Sequence, residues 1–343
     1  MVALTMRKFL FWPHLLAGVL AGIVILVMSV TGVLLTYEKQ VIAWADRPFN
    51  TVSAPHGAAR LTIDQLLAAA PNPTAITLSS NPTAAAQLTL PRNRIVFVDP
   101  YTGSITGEGS VPTRNFFRQV TAWHRWLGQN TPLTKGITGA SNLAFLFLLL
   151  TGIPMWLQRP IAWFRRGLSS KARDYNWHHV LGIWASVPLL LIVLTAVFFS
   201  YPWATPLLYR VTGDTMPAPD NRPTTASAGP YQPLFSKLQA PAWQSITFRP
   251  GPRSFSVEAG HWGRVDLKTQ WVVDPASGTL LPAEPFENLP LARRLRTWVR
   301  TVHTGEAVGL LGQTVAGLAS FAAIVLVWTG LALSWRRLRT ALS

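Results

Sequence analysis

Four of the seven histidines in this chain recur at matched places along it. His14 lies 17 residues before Thr31, and His178 lies 17 before Thr195. His124 lies 27 residues before Thr151-Gly152, and His303 lies 26 before Thr329-Gly330. Two neutral imidazoles arriving from different helices suit a low-spin haem iron with both axial positions filled. No Asp, Glu or Cys accompanies them at ligand spacing, so a directly bound metal ion is the weaker reading.

The local sequences put these residues on helices. Trp12-Pro13-His14 and Trp177-His178-His179 open apolar runs, Trp123-His124-Arg125-Trp126 lies on an amphipathic stretch, and His303-Thr304-Gly305-Glu306 precedes the last apolar run. His14, His124 and His178 each have Gly four residues later (Gly18, Gly128, Gly182). Positions i and i+4 share a helical face, so each Gly predicts room for a flat porphyrin beside its ligand. Gly32 and Ala196 stand 18 residues after His14 and His178, five turns on, and predict clearance for a second haem near the far surface. The repeat selects His178 over His179, which stays the alternative ligand. His56, His179 and His261 have no repeat partner and read as structural.

The elements that must hold these residues are membrane helices. Only 13% of residues are charged, about half of the roughly 25% usual for soluble proteins, and mean hydropathy is +0.25. An apolar content of 49%, with 15 Trp and 16 Phe, excludes disorder. The lack of cysteine excludes disulfides, iron–sulfur clusters and thiolate zinc sites. Four spans are predicted, at 14–37, 137–157, 178–201 and 307–335, each free of Asp, Glu, Lys and Arg. Pro154 and Pro188 fall inside two of them, which membrane helices tolerate. The first run is too long for a signal-peptide core and reads as an uncleaved helix. Carriers of protons or ions need ionisable residues along their path. Their absence favours electron transfer, which needs only cofactors.

Ten basic residues and one acid, Asp174, occupy the N-terminus, the 158–177 loop and the C-terminus. The positive-inside rule makes these segments cytoplasmic and sends the two long segments outward. Two histidines, one from each half, therefore face each membrane surface. The outward segments still carry arginines near His124 (Arg114, Arg118, Arg125) and before His303 (Arg293, Arg294, Arg296, Arg300). These suit lipid anchoring, haem propionates or an anionic, metal-bearing substrate. Nucleic acid is not implied. Trp12, Trp123 and Trp177 read as interfacial belt residues.

The outward segments repeat as well. Val98-Asp99-Pro100-Tyr101-Thr102-Gly103-Ser104 returns as Val273-Asp274-Pro275-Ala276-Ser277-Gly278-Thr279. A helix from Leu61 to Ala70, N-capped by Thr62, and strands at Ala75–Ser79, Ala86–Leu90 and Ile95–Val98 are predicted before the first copy. Strands at Gln244–Phe248, Ser254–Glu258 and Thr269–Val273 are predicted before the second. Met216–Tyr231 reads as a linker. The predicted fold class is membrane α-helical, with four spans from an internal duplication and two small α+β modules at 38–113 and 202–287. Interfacial helices at 114–128 and 288–303 complete each half.

The V-D-P-x-[T/S]-G turn after a helix and short strands resembles a PepSY module, at 61–104 and more faintly at 234–281. His303-Thr304-Gly305-Glu306 followed by Gly309, Gly312-Gln313 and Thr329-Gly330 resembles the last segment of the PepSY-associated transmembrane family. With W-H-x-x-x-G at His124 and the related motif at His178, the resemblance covers nearly the whole chain. It implies a bacterial inner-membrane protein with both termini cytoplasmic and two periplasmic modules, and some relatives are di-haem ferric-siderophore reductases. Carried over residue by residue, it implies two haem b groups, ligated by His14 with His178 and by His124 with His303, with Arg125 and Arg300 beside the outer one. The expected partners are membrane lipids, a periplasmic ferric siderophore or other Fe(III) complex, and quinol or a separate cytoplasmic reductase as donor. The rival expectation is a non-enzymatic PepSY membrane protein that binds or regulates a periplasmic peptidase or envelope partner. A metal-ion importer is a third.

Overall fold

A computed structural model describes residues 2–217, 230–238, 243–260, 263–274 and 277–342. In chain order the chain forms α1 (Val2–Leu35), α2 (Glu38–Ala45), α3 (Arg47–Asn50) and α4 (Ile63–Ala68). Strands β1 (Ala75–Ser79), β2 (Ala86–Leu90), β3 (Arg94–Val98) and β4 (Ile105–Glu108) follow. Then come α5 (Val111–Trp126), α6 (Pro132–Leu157), α7 (Ser170–Trp184), α8 (Ser186–Ser200), α9 (Ala204–Thr212) and α10 (Gln232–Leu238). The chain ends with β5 (Ser245–Arg249), β6 (Ser254–Glu258), β7 (Lys268–Val273), β8 (Leu280–Pro282), α11 (Leu291–His303) and α12 (Gly309–Leu342). It divides into two compact units.

The helical unit comprises Met1–Glu38, Phe116–Val211 and Arg296–Ser343. Among the described residues three helical segments are long and apolar enough to cross a membrane: Phe9–Leu35, Pro132–Leu157 and Glu306–Thr340. The third predicted span is corrected: α7 and α8 meet at Ala185 with a bend of 66°, so a fourth crossing exists only as a broken pair. Pro188 accounts for the break. It has no N–H to give Trp184, and its ring clashes with the carbonyl four residues back. Pro154, by contrast, stays inside α6, which ends three residues later. The predicted 158–177 loop is shortened too, since α7 already begins at Ser170. The exterior is apolar, with Leu20 and Ile23 at 74% and 70% exposure, as lipid requires.

Without a hydrophobic drive between helices in lipid, close approach depends on small residues. Ala319, Ala322 and Ala323 of α12 pack on Leu149 of α6 and on Leu189 and Val193 of α8. A Cβ on Gly317 would come within 2.8 Å of Thr36 Oγ1, and one on Gly22 within 3.4 Å of Leu331. Buried Asn142 donates to the Val193 carbonyl at 3.2 Å. At the end of the unit holding the C-terminus of α12, Arg336 and Arg173 both pair with buried Asp174, at 2.8 and 3.2 Å.

The second unit, Lys39–Asn115 with Thr212–Leu295, corrects another expectation. The two predicted modules are one eight-stranded antiparallel sheet, ordered β4-β3-β2-β1-β5-β6-β7-β8. The halves join where β1 pairs with β5, Ile76 opposite Phe248 and Leu78 opposite Ile246. One face buries Ile76, Leu88, Phe248 and Phe255 beneath α4 and α10, following the period-2 alternation of the strands. The two helices lock at their N-termini. Asp64 accepts from the N–H groups of Tyr231 and Gln232 at 2.9 Å, and Gln232 accepts from Ile63 N–H at 2.8 Å. Thr62 does cap α4, through a capping box with Gln65, though the helix is shorter than predicted. β4 and β8 escape prediction. They follow the two D-P turns, where Gly103 N–H donates to the Asp99 carbonyl and Gly278 N–H to the Asp274 carbonyl, each at 2.9 Å. Most of the predicted linker, and His261, lie outside the described residues.

Candidate functional site

All four repeat histidines belong to the helical unit, and each is held in the same way. The Nδ1 of His14, on α1, meets Thr151 Oγ1 of α6 at 2.8 Å. His178, on α7, meets Thr329 of α12 at 3.0 Å. His124, on α5, meets Thr31 of α1 at 3.0 Å, and His303, on α11, meets Thr195 of α8 at 3.2 Å. Each threonine hydroxyl donates its proton to the carbonyl four residues back: Phe147, Val325, Val27 and Leu191 in turn. Its oxygen can therefore only accept from the imidazole. Nδ1 carries the hydrogen in all four rings, and Nε2 keeps a free lone pair. His124 and His303 confirm the tautomer, because their Nδ1–H groups also donate to the carbonyls of Met28 at 3.0 Å and Ile192 at 2.9 Å. A fixed Nδ1–H on a metal-ready Nε2 is the outer-sphere arrangement of metal-ligating histidines.

The residue after each of three threonines sits against the same ring. A Cβ on Gly152 would lie 3.6 Å from His14, one on Gly330 3.4 Å from His178, and one on Gly32 3.5 Å from His124. Thr-Gly is thus an imidazole cradle. This redefines the glycines. Gly32, expected to clear space for porphyrin, abuts the His124 ring. Gly128 ends α5 instead, at φ +86° with its N–H on the Ala122 carbonyl, the left-handed stop that glycine favours. Gly18 and Gly182 do line an open space, as expected.

That space is a cavity of about 550 Å³ among α1, α6, α7 and α12, with both His14 and His178 in its wall. It is within the range of sites for organic cofactors. Leu15, Phe145, Ile153, Leu326 and Leu331 make its apolar lining. His179 also lines it, its ring tilted 40° against that of Tyr175 with centres 4.2 Å apart.

At the other site the rings of His124 and His303 have centres 6.4 Å apart. Their ring planes cross at 66°, an edge-on contact. Burial pushes both imidazoles below the usual histidine pKa. Thr31, which holds His124, is 17 residues from His14 along α1, so the sites are separated by about 25 Å.

Among the described residues no cluster of three or more His, Cys, Asp or Glu could hold a metal ion. The donor sets are histidine pairs alone. Of the predicted arginines, Arg114 pairs with Asp46, Arg296 donates to Thr205 at 3.2 Å, and Arg125 lies over Trp126 at 4.6 Å. Arg125 and Arg300 are exposed. The roles of Thr31, Thr151, Thr195 and Thr329 escape sequence reasoning, although their spacing is visible. So does the place of Arg159, Lys171 and Arg337 on the cavity wall, because the positive-inside rule already accounts for their charge.

One comparison with known proteins bears on this arrangement: the family model for the PepSY-associated TM region matches residues 11–337. No curated protein matches the chain.

Proposed function

The chain belongs to the family of the PepSY-associated TM region, and we propose that it is an inner-membrane haem reductase that moves electrons across the bilayer to a periplasmic ferric complex, such as a ferric siderophore. The observation that carries this reading is the fourfold Nδ1–H to threonine hydrogen bond, which leaves two pairs of Nε2 lone pairs at opposite ends of the bundle. The residues fit haem: the donors are two imidazoles per site, the outer rings have centres 6.4 Å apart, and the inner pair borders a cavity of cofactor size. Haem supplies a one-electron Fe(III)/Fe(II) couple when bound.

In this reading His14 and His178 would hold one haem on the cytoplasmic side, and His124 and His303 the other on the periplasmic side. Each threonine fixes its imidazole's tautomer and direction and raises the ligand's basicity. The apolar wall of Leu15, Phe145 and Leu326 keeps water from the inner pair. Quinol, losing two electrons and two protons, or a separate cytoplasmic reductase supplies the electrons. Each Fe(III) acceptor takes one. Fe(II) holds hard oxygen ligands less tightly, so the iron is released. The sheet unit is periplasmic and supplies the acceptor's binding surface.

The test is an optical spectrum of the detergent-solubilised protein with haem counted per chain. Two b-type haems are expected, and His14→Ala or His303→Ala should each leave one. A folded preparation without haem overturns the proposal.

A further inference from the structure

We propose that Arg159, Lys171 and Arg337 form an anion clamp at one end of the His14/His178 cavity, and that it takes the propionate carboxylates of the inner haem. The inference rests on the haem reading above. The three cations come from three different segments yet stand at one level. Arg159 is eight residues past Thr151, Arg337 is eight past Thr329, and Lys171 is seven before His178. At 1.5 Å per residue Lys171 and Arg337 lie about 11 Å beyond the imidazole level, and Arg159 follows two residues after the end of α6 on the same side. All three line the cavity, and the remaining wall is mostly apolar, with no carboxylate among the described residues that form it.

Among the described residues no acid neutralises them. Asp174, the acid at this end of the unit, is taken by Arg336 and Arg173. The Arg337 guanidinium is held in place over the rings of Phe11 and Trp12, at 4.5 and 4.9 Å. A mostly apolar cavity with two histidines and three cations in its wall matches a flat, apolar ligand bearing carboxylates on one edge. Guanidinium and ammonium groups make short, charge-assisted hydrogen bonds to carboxylates. The positive-inside rule accounts for the sign of these residues, but not for their convergence on one cavity.

The test compares haem with its dimethyl ester, which keeps the iron and the ring but has no carboxylate. Both are titrated into apoprotein carrying His124→Ala, so that absorbance reads the inner site alone. Haem should bind at least about tenfold more tightly than the ester. Arg337→Gln and Arg159→Gln should each lower haem affinity about tenfold and leave ester affinity unchanged. Equal binding of the two porphyrins, or variants that weaken both alike, overturns the clamp. Failure of both porphyrins to bind overturns the haem reading itself.

Discussion

The two histidine pairs are chemically alike but structurally supported in different ways. His14 and His178 lie inside helices of the membrane bundle, away from their ends, and their geometry follows from how α1, α6, α7 and α12 pack. His124 and His303 lie in the last turns of α5 and α11, and each helix stops at once in a left-handed turn, Leu127-Gly128 and Gly305. The inner rings are thus placed by side-chain packing, whereas the outer rings depend on two backbone turns. Their hydrogen bonds differ less. Among the described residues His14 meets Thr151 alone, while His178, like His124 and His303, adds a backbone carbonyl, that of Leu326, to its threonine.

The largest effect should come from removing an outer ligand. His124→Ala or His303→Ala should lower reduction of an external Fe(III) chelate by at least about 100-fold, while added reductant still converts the inner haem to its ferrous spectrum. Retained chelate reduction in either variant would mean that the outer pair is not on the electron path.

Next in size is the turn beside His303. Gly305 has φ +75°, and a Cβ there would come within 2.3 Å of the Gly312 carbonyl. Gly305→Ala should cost more than about 2 kcal/mol, and the loss should fall on the outer haem first. Haem counting after mild detergent challenge reads this directly, with Gly136→Ala as the comparison. Nothing lies within 4 Å of a Cβ on Gly136, which is not part of the cavity wall, so that variant should keep both haems.

Features confined to one segment are legible in the sequence, and features that need two segments are not. The spans are legible because an uncharged apolar run of bilayer length is too costly to leave in water. The D-P-x-[T/S]-G turns are legible because Asp and Gly have fixed jobs there. The joining of two modules into one sheet is not. Alternation tells which face of β1 or β5 is buried, but strand edges do not name their partner. The break at Ala185 requires the clash at Pro188 to outweigh the tolerance of membrane helices for proline. At the site, the His-to-Thr spacing is visible along single segments, yet the bonds connect different helices: Thr31 serves His124, not His14. Spacing identifies the participants, and only packing pairs them.

The hydrogen-bond difference gives a finer test. Thr151→Val removes the threonine support of His14, whereas Thr31→Val leaves His124 bonded to the Met28 carbonyl. Loss of such outer partners costs about 10–100-fold in metal affinity. Thr151→Val should fall near the upper end of that range and Thr31→Val near or below its lower end. Haem dissociation rates measured site by site would show it. Equal losses would mean that the carbonyl carries no share of the anchoring.

The smallest expected effect is in pH. Burial, with the neighbouring His303 adding to it, holds the His124 pKa at about 4 in the folded apoprotein, although the Met28 carbonyl pulls the other way. The unfolded chain binds this proton near about pH 6.5. Between those values the unfolded state carries more protons than the folded one, so stability falls as pH drops through that window and levels off below it. Apoprotein melting temperature should therefore decline from about pH 6.5 toward about pH 4. His124→Gln, which cannot titrate, should flatten part of that decline. Coordination to iron would push protonation of the folded state lower still, so the holoprotein should go on losing stability below about pH 4, where the apoprotein levels off. A decline that levels off at the same pH with and without bound haem would show that the titrating group is not a ligand.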